Sequence, residues 1–300
     1  FSHDELVAAI RRVYDLEQKK GTFLTQGTGP VAPAHAASTA PADVVLVFSG
    51  KGGVGKTLLA TNLAVSLASE SGGRVALVDL DLQFGDVGVM LNLDHSRSIT
   101  DVVDAGEGLD AEVMNEILAN GPGGMRVLLA PISPELADLV TSEHVRAAMA
   151  ELRKRYDYIV IDTPCHLAEF NLEVIEAAQR IIVVTALTIP AIKDAKLSLK
   201  VLESLDIDPA NILLVVNRSE GHSDFNRDSI EQNLGHPIAA QLPHEPRIVG
   251  DAVTRGAPFV SLHPDSEISR SVREIVGLLA PEPAAPAGGE KRKKRGLFGR

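Results

Sequence analysis

The chain has 300 residues, of which 45% are apolar and 23% are charged, values typical of a globular protein and incompatible with wholesale disorder. Its formal net charge of −11 excludes nucleic acid as a partner for the whole surface. No run of the sequence approaches the roughly 20 apolar residues that a membrane-spanning helix needs. The single cysteine, Cys165, excludes an internal disulfide framework and is typical of a reducing compartment. We expect it to be a buried thiol that packs as a small apolar residue.

The N-terminal region predicts a helix followed by a linker. Residues 4–18 carry apolar side chains at helical spacing, whereas residues 21–42 are rich in Gly, Thr, Pro and Ala without any apolar period. Because the chain starts at Phe1, already inside the helical pattern, we expect it to be part of a longer protein.

From residue 43 onward, short β-branched runs alternate with helical patterns. The runs are continuously apolar, as expected of strands that are covered on both faces. The pattern predicts an α/β domain over residues 43–280, with a mostly parallel sheet flanked by helices. The predicted strands are residues 44–48, 74–79, 125–130, 158–162, 180–184 and 212–217, and the main predicted helices are residues 58–70, 142–154, 172–179 and 191–204.

A glycine-rich segment lies between the first predicted strand and the following helix. Residues 50–57 read GKGGVGKT, which satisfies the phosphate-loop pattern G-x-x-x-x-G-K-[ST]. Glycines let backbone N–H groups turn toward a polyanion, and the next helix directs its positive end at it. In such a loop the lysine reaches the β- and γ-phosphates and the hydroxyl binds Mg²⁺. The segment therefore predicts a site for ATP and Mg²⁺, formed by Gly50, Lys51, Gly52, Gly53, Val54, Gly55, Lys56, Thr57 and Leu58.

A second lysine, Lys51, directly follows the first glycine. The resulting KGGVGKT resembles the deviant phosphate loop of the MinD/ParA ATPases, in which the early lysine reaches the nucleotide of the facing subunit. The resemblance implies a P-loop ATPase that forms an ATP-dependent homodimer, with Lys51 and Lys56 as catalytic lysines. An ordinary exposed loop lysine is the alternative for Lys51.

Three further segments resemble this family in the same order along the chain. VALVDLDLQFGDVGVMLNL resembles its switch I, which implies that Asp81 orients the attacking water and that Asp79 supports the metal shell. YDYIVIDTP resembles its Walker B strand, which implies that Asp162 holds Mg²⁺ through water. ILLVVNR places Asn217, with Arg218 next to it, where the family reads the adenine base. Helix capping by the two switch aspartates and a simple turn role for Asn217 stay open.

Within the family, DLDLQFGDVGVML and LTIPAIKDAKLSLKVLESL resemble the pilus-assembly ATPases called CpaE or TadZ. This resemblance implies a slow ATPase that positions or regulates a type IV (Tad/Flp) pilus secretion machinery, with partner proteins at the inner face of the membrane. A receiver-like domain precedes the ATPase in those proteins, and residues 1–20 resemble the last helix of such a domain. The alternatives are a MinD-like cell-division regulator, a ParA-like DNA-partitioning ATPase, which the net charge disfavours, and a scaffold that does not hydrolyse nucleotide.

The C-terminal segment, residues 281–300, predicts a Pro/Ala/Gly linker and a basic tail. Residues 290–300 contain six basic side chains and one acidic side chain. Such a tail attracts an anionic membrane surface by about 1 kcal/mol per basic residue. A solvated tail and a weak nucleic-acid patch are the alternatives. We expect a cytoplasmic protein, with recruitment to the membrane or the cell pole left open.

Overall fold

The computed structural model describes residues 42–165, 169–219 and 226–280, all within the unit Ala37–Arg300. The predicted helix at residues 4–18, nearly all of the first linker and the basic tail lie outside the described residues. Among the helices that are described, none is both long and apolar enough to cross a membrane.

Strands and helices alternate along the described part of the chain. The strands are β1 (Asp43–Phe48), β2 (Val75–Asp79), β3 (Ala119–Asn120), β4 (Arg126–Leu128), β5 (Tyr158–Asp162), β6 (Arg180–Ala186), β7 (Ile212–Ser219) and β8 (Ile238–Pro243). The helices are α1 (Lys56–Glu70), α2 (Val87–Met90), α3 (Thr100–Ala105), α4 (Ala111–Ile117), α5 (Pro134–Ala137), α6 (Ser142–Arg153), α7 (Glu169–Ala177), α8 (Ile189–Ser204), α9 (Arg227–Leu234), α10 (Pro246–Arg255), α11 (Phe259–Leu262) and α12 (Glu267–Leu279).

The described strands form a single sheet in the order β3-β4-β2-β5-β1-β6-β7-β8. All neighbouring pairs are parallel except β3 with β4. The prediction of a mostly parallel sheet flanked by helices is therefore confirmed. Each strand and main helix predicted within residues 43–280 is present, with ends that differ by at most three residues.

Both faces of the sheet are buried, which explains the continuous apolar runs. Consecutive residues Leu46 and Val47 of β1 are both 0% exposed and pack into separate hydrophobic clusters on opposite faces. Burying one such side chain contributes about 1.5–3 kcal/mol. With the parallel strands fixed in this way, their carboxyl ends meet at one edge of the sheet, where open α/β folds bind ligands.

The sequence analysis did not predict strand β8 or helix α12, which lie at one end of the sheet. Strand β8 alternates buried Ile238, Ala240 and Leu242 with exposed residues, so it lacks the continuous apolar run of the central strands. Helix α12 buries one face against α1 and β8, and places Val272 and Ile275 in the core.

Candidate functional site

The phosphate loop connects β1 to α1 and owes its shape to two glycines. Gly53 and Gly55 have φ angles of 75° and 95°, a region that glycine enters without the penalty that a Cβ brings. A Cβ on Gly55 would also lie 2.4 Å from the Asn217 Nδ2 atom. No described side chain caps the N-terminus of α1, and its first turn holds no acidic residue. Its N–H groups and its positive end are therefore available to an anion.

The two lysines of the loop differ in their surroundings. Lys56 begins α1 and is only 9% exposed, whereas Lys51 is exposed. Lys56 is close enough to Asp162 for its charge to lower the pKa of that carboxyl, and the half-buried Thr57 hydroxyl acts in the same direction. Lys56 and Thr57 thus lie beside Asp162, whereas Lys51 is exposed to solvent.

Two buried aspartates end adjacent strands at the same level. Asp79 of β2 and Asp162 of β5 are paired in register, and both are 0% exposed. Burial raises the pKa of Asp162 to about 7, against the effects of Thr57 and Lys56. Burial, and next the charge of Asp162, also raise the pKa of Asp79 well above its usual range. Burial and the closeness of the two carboxyl groups outweigh the charge of Lys56 and favour the protonated form, so a further cation would stabilise the ionised pair.

The hydrogen bonds of the two aspartates differ. Asp79 Oδ1 accepts from the Asp81 N–H at 3.1 Å, and Oδ2 accepts from the Val87 N–H at 3.2 Å. Neither carboxylate oxygen of Asp162 has a hydrogen-bond partner of normal geometry among the described residues, although the Thr57 hydroxyl is near enough to lower the pKa of Asp162. Burying a carboxylate whose two oxygens lack partners is unfavourable in free energy unless a cation or a water molecule binds to it.

The Asp162 carboxylate and the Thr57 hydroxyl fit Mg²⁺. Mg²⁺ is usually held by one or two carboxylates together with substrate phosphates and water. No group of three or more His, Cys, Asp or Glu side chains in the described ranges could hold a metal by itself. A Mg²⁺ ion at this position would therefore depend on phosphate oxygens and water for its remaining ligands.

Asp81 lies in the turn after β2. It is half-buried, and its charge raises the pKa values of Asp79, Asp86 and Asp162, which places it beside the aspartate pair. The Phe84 N–H approaches Asp81 Oδ1 at 3.4 Å. A carboxylate that is only half-buried can bind water next to a phosphate, whereas Asp79 cannot reach solvent.

Asn217 lies at the carboxyl end of β7, on the other side of the phosphate loop. It is 4% exposed, and its Nδ2 donates to the Val54 carbonyl at 2.7 Å. Its Oδ1 accepts from the Arg218 N–H at 2.8 Å. Arg218 itself is exposed and has a φ of 54°. The side chain of Asn217 therefore ties the last strand of the predicted site to the phosphate loop.

One contact of the loop was missed from the sequence. A Cβ on Gly50 would lie 2.7 Å from the Ser198 Oγ atom and 3.2 Å from the Asp194 carbonyl oxygen. Helix α8 thus packs directly against the start of the phosphate loop. Neither residue belongs to a recognisable motif, so no sequence signal could have revealed the contact.

The prediction of a buried Cys165 is wrong, because the thiol is exposed. Cys165 follows the carboxyl end of β5, at the edge of the sheet that carries the phosphate loop, and not in either hydrophobic cluster. Its Sγ atom would lie 3.7 Å from a Cβ on Gly52.

Comparisons with known proteins identify relatives of this chain. A family model described as an AAA domain matches residues 42–213. The septum site-determining protein MinD of Thermotoga maritima is 30% identical over 243 residues, which cover 78% of this chain and 86% of that protein. MinD of Bacillus subtilis is also 30% identical, over 78% of this chain and 87% of that protein.

Solved structures show the same fold. A ParA family ATPase from Chlorobium tepidum superposes with a TM-score of 0.74 at 24% identity, covering 78% of this chain and 98% of that one. The MinC:MinD cell division complex of Aquifex aeolicus contains a chain with a TM-score of 0.67 at 25% identity, covering 81% and 98%. The chain therefore belongs to the MinD/ParA family of P-loop ATPases.

Proposed function

We propose that this protein is a Mg²⁺-dependent ATPase whose ATP-bound form is a homodimer and which acts as a slow molecular switch. The observation that supports it best is the position of Lys56 and Thr57. Both begin α1, whose N-terminus no described side chain caps, and both lie beside the buried Asp162, whose carboxylate oxygens have no hydrogen-bond partner among the described residues. This arrangement provides donors for phosphates on one side and a cation ligand on the other.

The residues of the site have separate proposed roles in binding phosphate, binding Mg²⁺ and orienting water. The backbone from Gly50 to Leu58 holds the phosphates, and Lys56 contacts the β- and γ-phosphates. Thr57 and Asp162 would hold Mg²⁺, Asp162 through water as the family resemblance implies, and the ion would neutralise phosphate charge when it is bound. Asp81 orients the water that attacks the γ-phosphate.

The base is proposed to lie at the opposite side of the loop. Asn217 and Arg218 lie there at the carboxyl end of β7, and the amide of Asn217 already donates to the Val54 carbonyl. The second hydrogen of Nδ2 and the remaining lone pair of Oδ1 can serve the adenine edge. One side chain would thereby connect base recognition to the phosphate loop.

Lys51 is the residue proposed to act across the dimer. Its exposure supports contact with the phosphates of the facing subunit, where its charge stabilises the transferring phosphoryl group. Loss of the γ-phosphate removes contacts to Lys51 and to the Asp81 turn, so the dimer loosens after hydrolysis. Slow ATP hydrolysis thus sets the lifetime of the dimer.

ATP binding tests the site itself. Wild-type protein should bind ATP with Mg²⁺ and release phosphate, whereas Lys56→Ala should lose nucleotide in isothermal titration. Lys154→Ala provides a matched control, since Lys154 is an exposed lysine that forms a salt bridge with Glu151 on α6. Equal ATP binding by Lys56→Ala and Lys154→Ala would contradict the proposal.

For the cellular process we propose positioning or regulation of a pilus secretion machinery. The support is the resemblance of the segments around residues 79–91 and 187–205 to CpaE and TadZ proteins. A MinD-like regulator of the division site is the second candidate, supported by two MinD proteins that are each 30% identical over 78% of this chain. Both processes use the same ATP-dependent dimer.

A deletion strain separates the two processes. The strain is complemented with wild type or with Lys56→Ala, and its pili, septa and DNA content are imaged. Loss of pili that only wild type restores is the expected result. Normal pili with misplaced septa would favour the MinD-like role, and normal pili with lost DNA would favour a partitioning role.

A further inference from the structure

The turn after β2 folds back over the Asp79 carboxylate. Oδ1 accepts from the Asp81 N–H at 3.1 Å, and Oδ2 accepts from the Val87 N–H at 3.2 Å. One carboxylate therefore binds the first and the last part of the turn 81–87, which carries Asp81.

The base of this turn is fixed as well. Asp79 is paired in register with Asp162, and the Leu80 N–H donates to the Asp162 carbonyl at 2.9 Å. Gly85 lies directly on the carboxylate, because a Cβ there would come within 2.4 Å of Asp79 Oδ2 and 2.5 Å of the Ala130 Cβ atom. A side chain at position 85 would push the turn away from Asp79.

We propose that Asp79 is a positioning residue, which holds the turn that presents Asp81, and that it is not part of the metal shell. Both of its oxygens are engaged by the turn and Gly85 covers one of them, whereas both oxygens of Asp162 lack a partner among the described residues. The effect on ATP hydrolysis that is expected below rests on the proposed function, in which Asp81 orients the attacking water.

Two variants disturb this contact from opposite sides. Asp79→Asn keeps the size of the side chain but sets an NH₂ group against one of the two backbone N–H groups. Gly85→Ala leaves the carboxylate intact and displaces the turn. The matched controls are Asp86→Asn, an exposed aspartate of the same turn, and Gly108→Ala, which has open space for a Cβ.

The first readout is hydrogen–deuterium exchange of residues 80–88 in protein without nucleotide or Mg²⁺. Asp79→Asn and Gly85→Ala should each exchange about tenfold faster, the factor expected for loss of one hydrogen bond. The two control variants should exchange as wild type does. Unchanged exchange in both Asp79→Asn and Gly85→Ala would overturn the proposal.

The second readout separates positioning from metal binding. Hydrolysis is measured against Mg²⁺ concentration at saturating ATP. Asp79→Asn and Gly85→Ala should lower kcat by about tenfold or more and leave the half-saturating Mg²⁺ concentration unchanged. A large rise in that concentration for Asp79→Asn alone, with normal exchange, would show a metal ligand and overturn the proposal.

The roles of Asp79 and Asp81 are tested by different measurements. If Asp81→Ala hydrolyses ATP as wild type does, the proposed role of Asp81 is wrong, while the exchange experiment still decides whether Asp79 holds the turn. If Asp79→Asn does not fold, Gly85→Ala gives the same readouts with the native carboxylate in place.

Discussion

Replacing Asp162 with Asn is expected to change how the stability of the metal-free protein depends on pH. Asp162 is fully buried at the end of β5, and neither of its oxygens has a hydrogen-bond partner among the described residues. Asn has nearly the same size but carries no charge at any pH. The substitution therefore removes the titration of this site and leaves the packing of the strand end largely in place.

The sign and size of the effect follow from the raised pKa. Burial raises the pKa of Asp162 from 3.8 to about 7. The folded protein keeps this proton up to about pH 7, whereas the unfolded chain releases it near 3.8, so the free energy of unfolding falls as pH rises between these values. At 1.36 kcal/mol per pH unit, the loss between about pH 5 and pH 7 is roughly 3 kcal/mol.

Urea unfolding in EDTA at about pH 5 and pH 8 measures this difference. The free energy of unfolding of Asp162→Asn, relative to wild type, should increase by roughly 3 kcal/mol between the two pH values. Asp94→Asn, a change at an exposed aspartate, should follow wild type at both. A difference between Asp162→Asn and wild type that stays constant or shrinks as pH rises would refute the reasoning.

Three further predictions concern the phosphate loop and its neighbours. Gly55→Ala should lower the free energy of unfolding by about 1–3 kcal/mol in urea titrations, because its φ of 95° and its closeness to Asn217 both exclude a Cβ. In the control Gly72→Ala, the φ is 68° but the space is open, so the free energy of unfolding should fall by less. Asn217→Ala should weaken binding of both ATP and inorganic tripolyphosphate in calorimetry, because its amide holds the Val54 carbonyl; full retention of tripolyphosphate affinity would contradict that contact. The Cys165 thiol should react with a thiol reagent in the native protein and more slowly with bound ATP; a reaction that requires denaturant would contradict its exposure.

The parts of the fold that could be predicted are those in which burial or chemistry leaves little choice. Strands β1 and β5 are covered on both faces, and their continuous apolar runs predicted them within one residue of their ends. The phosphate loop could be predicted because backbone turns, a lysine and a hydroxyl must follow one another at fixed spacing. Strand β8 could not, since it is an edge strand whose buried residues alternate with exposed ones.

The sequence could not separate the two aspartates of the site. Asp79 and Asp162 both end a buried strand and are equivalent in the pattern. They differ through the N–H groups of Asp81 and Val87, which depend on how the turn closes over Asp79. The buried position predicted for Cys165 failed for a related reason, because cover by a loop or helix is a property of the assembled edge.

The central claim is an ATP-dependent dimer in which Lys51 acts across the interface. Light scattering with ATP and Mg²⁺ measures it most directly, with Asp81→Ala used to slow hydrolysis and trap the assembly. Asp81→Ala should have twice the mass of the monomer with ATP, whereas adding Lys51→Ala should keep it monomeric although ATP still binds. A monomer for Asp81→Ala with ATP, or a dimer that forms equally well without the Lys51 side chain, would contradict the account.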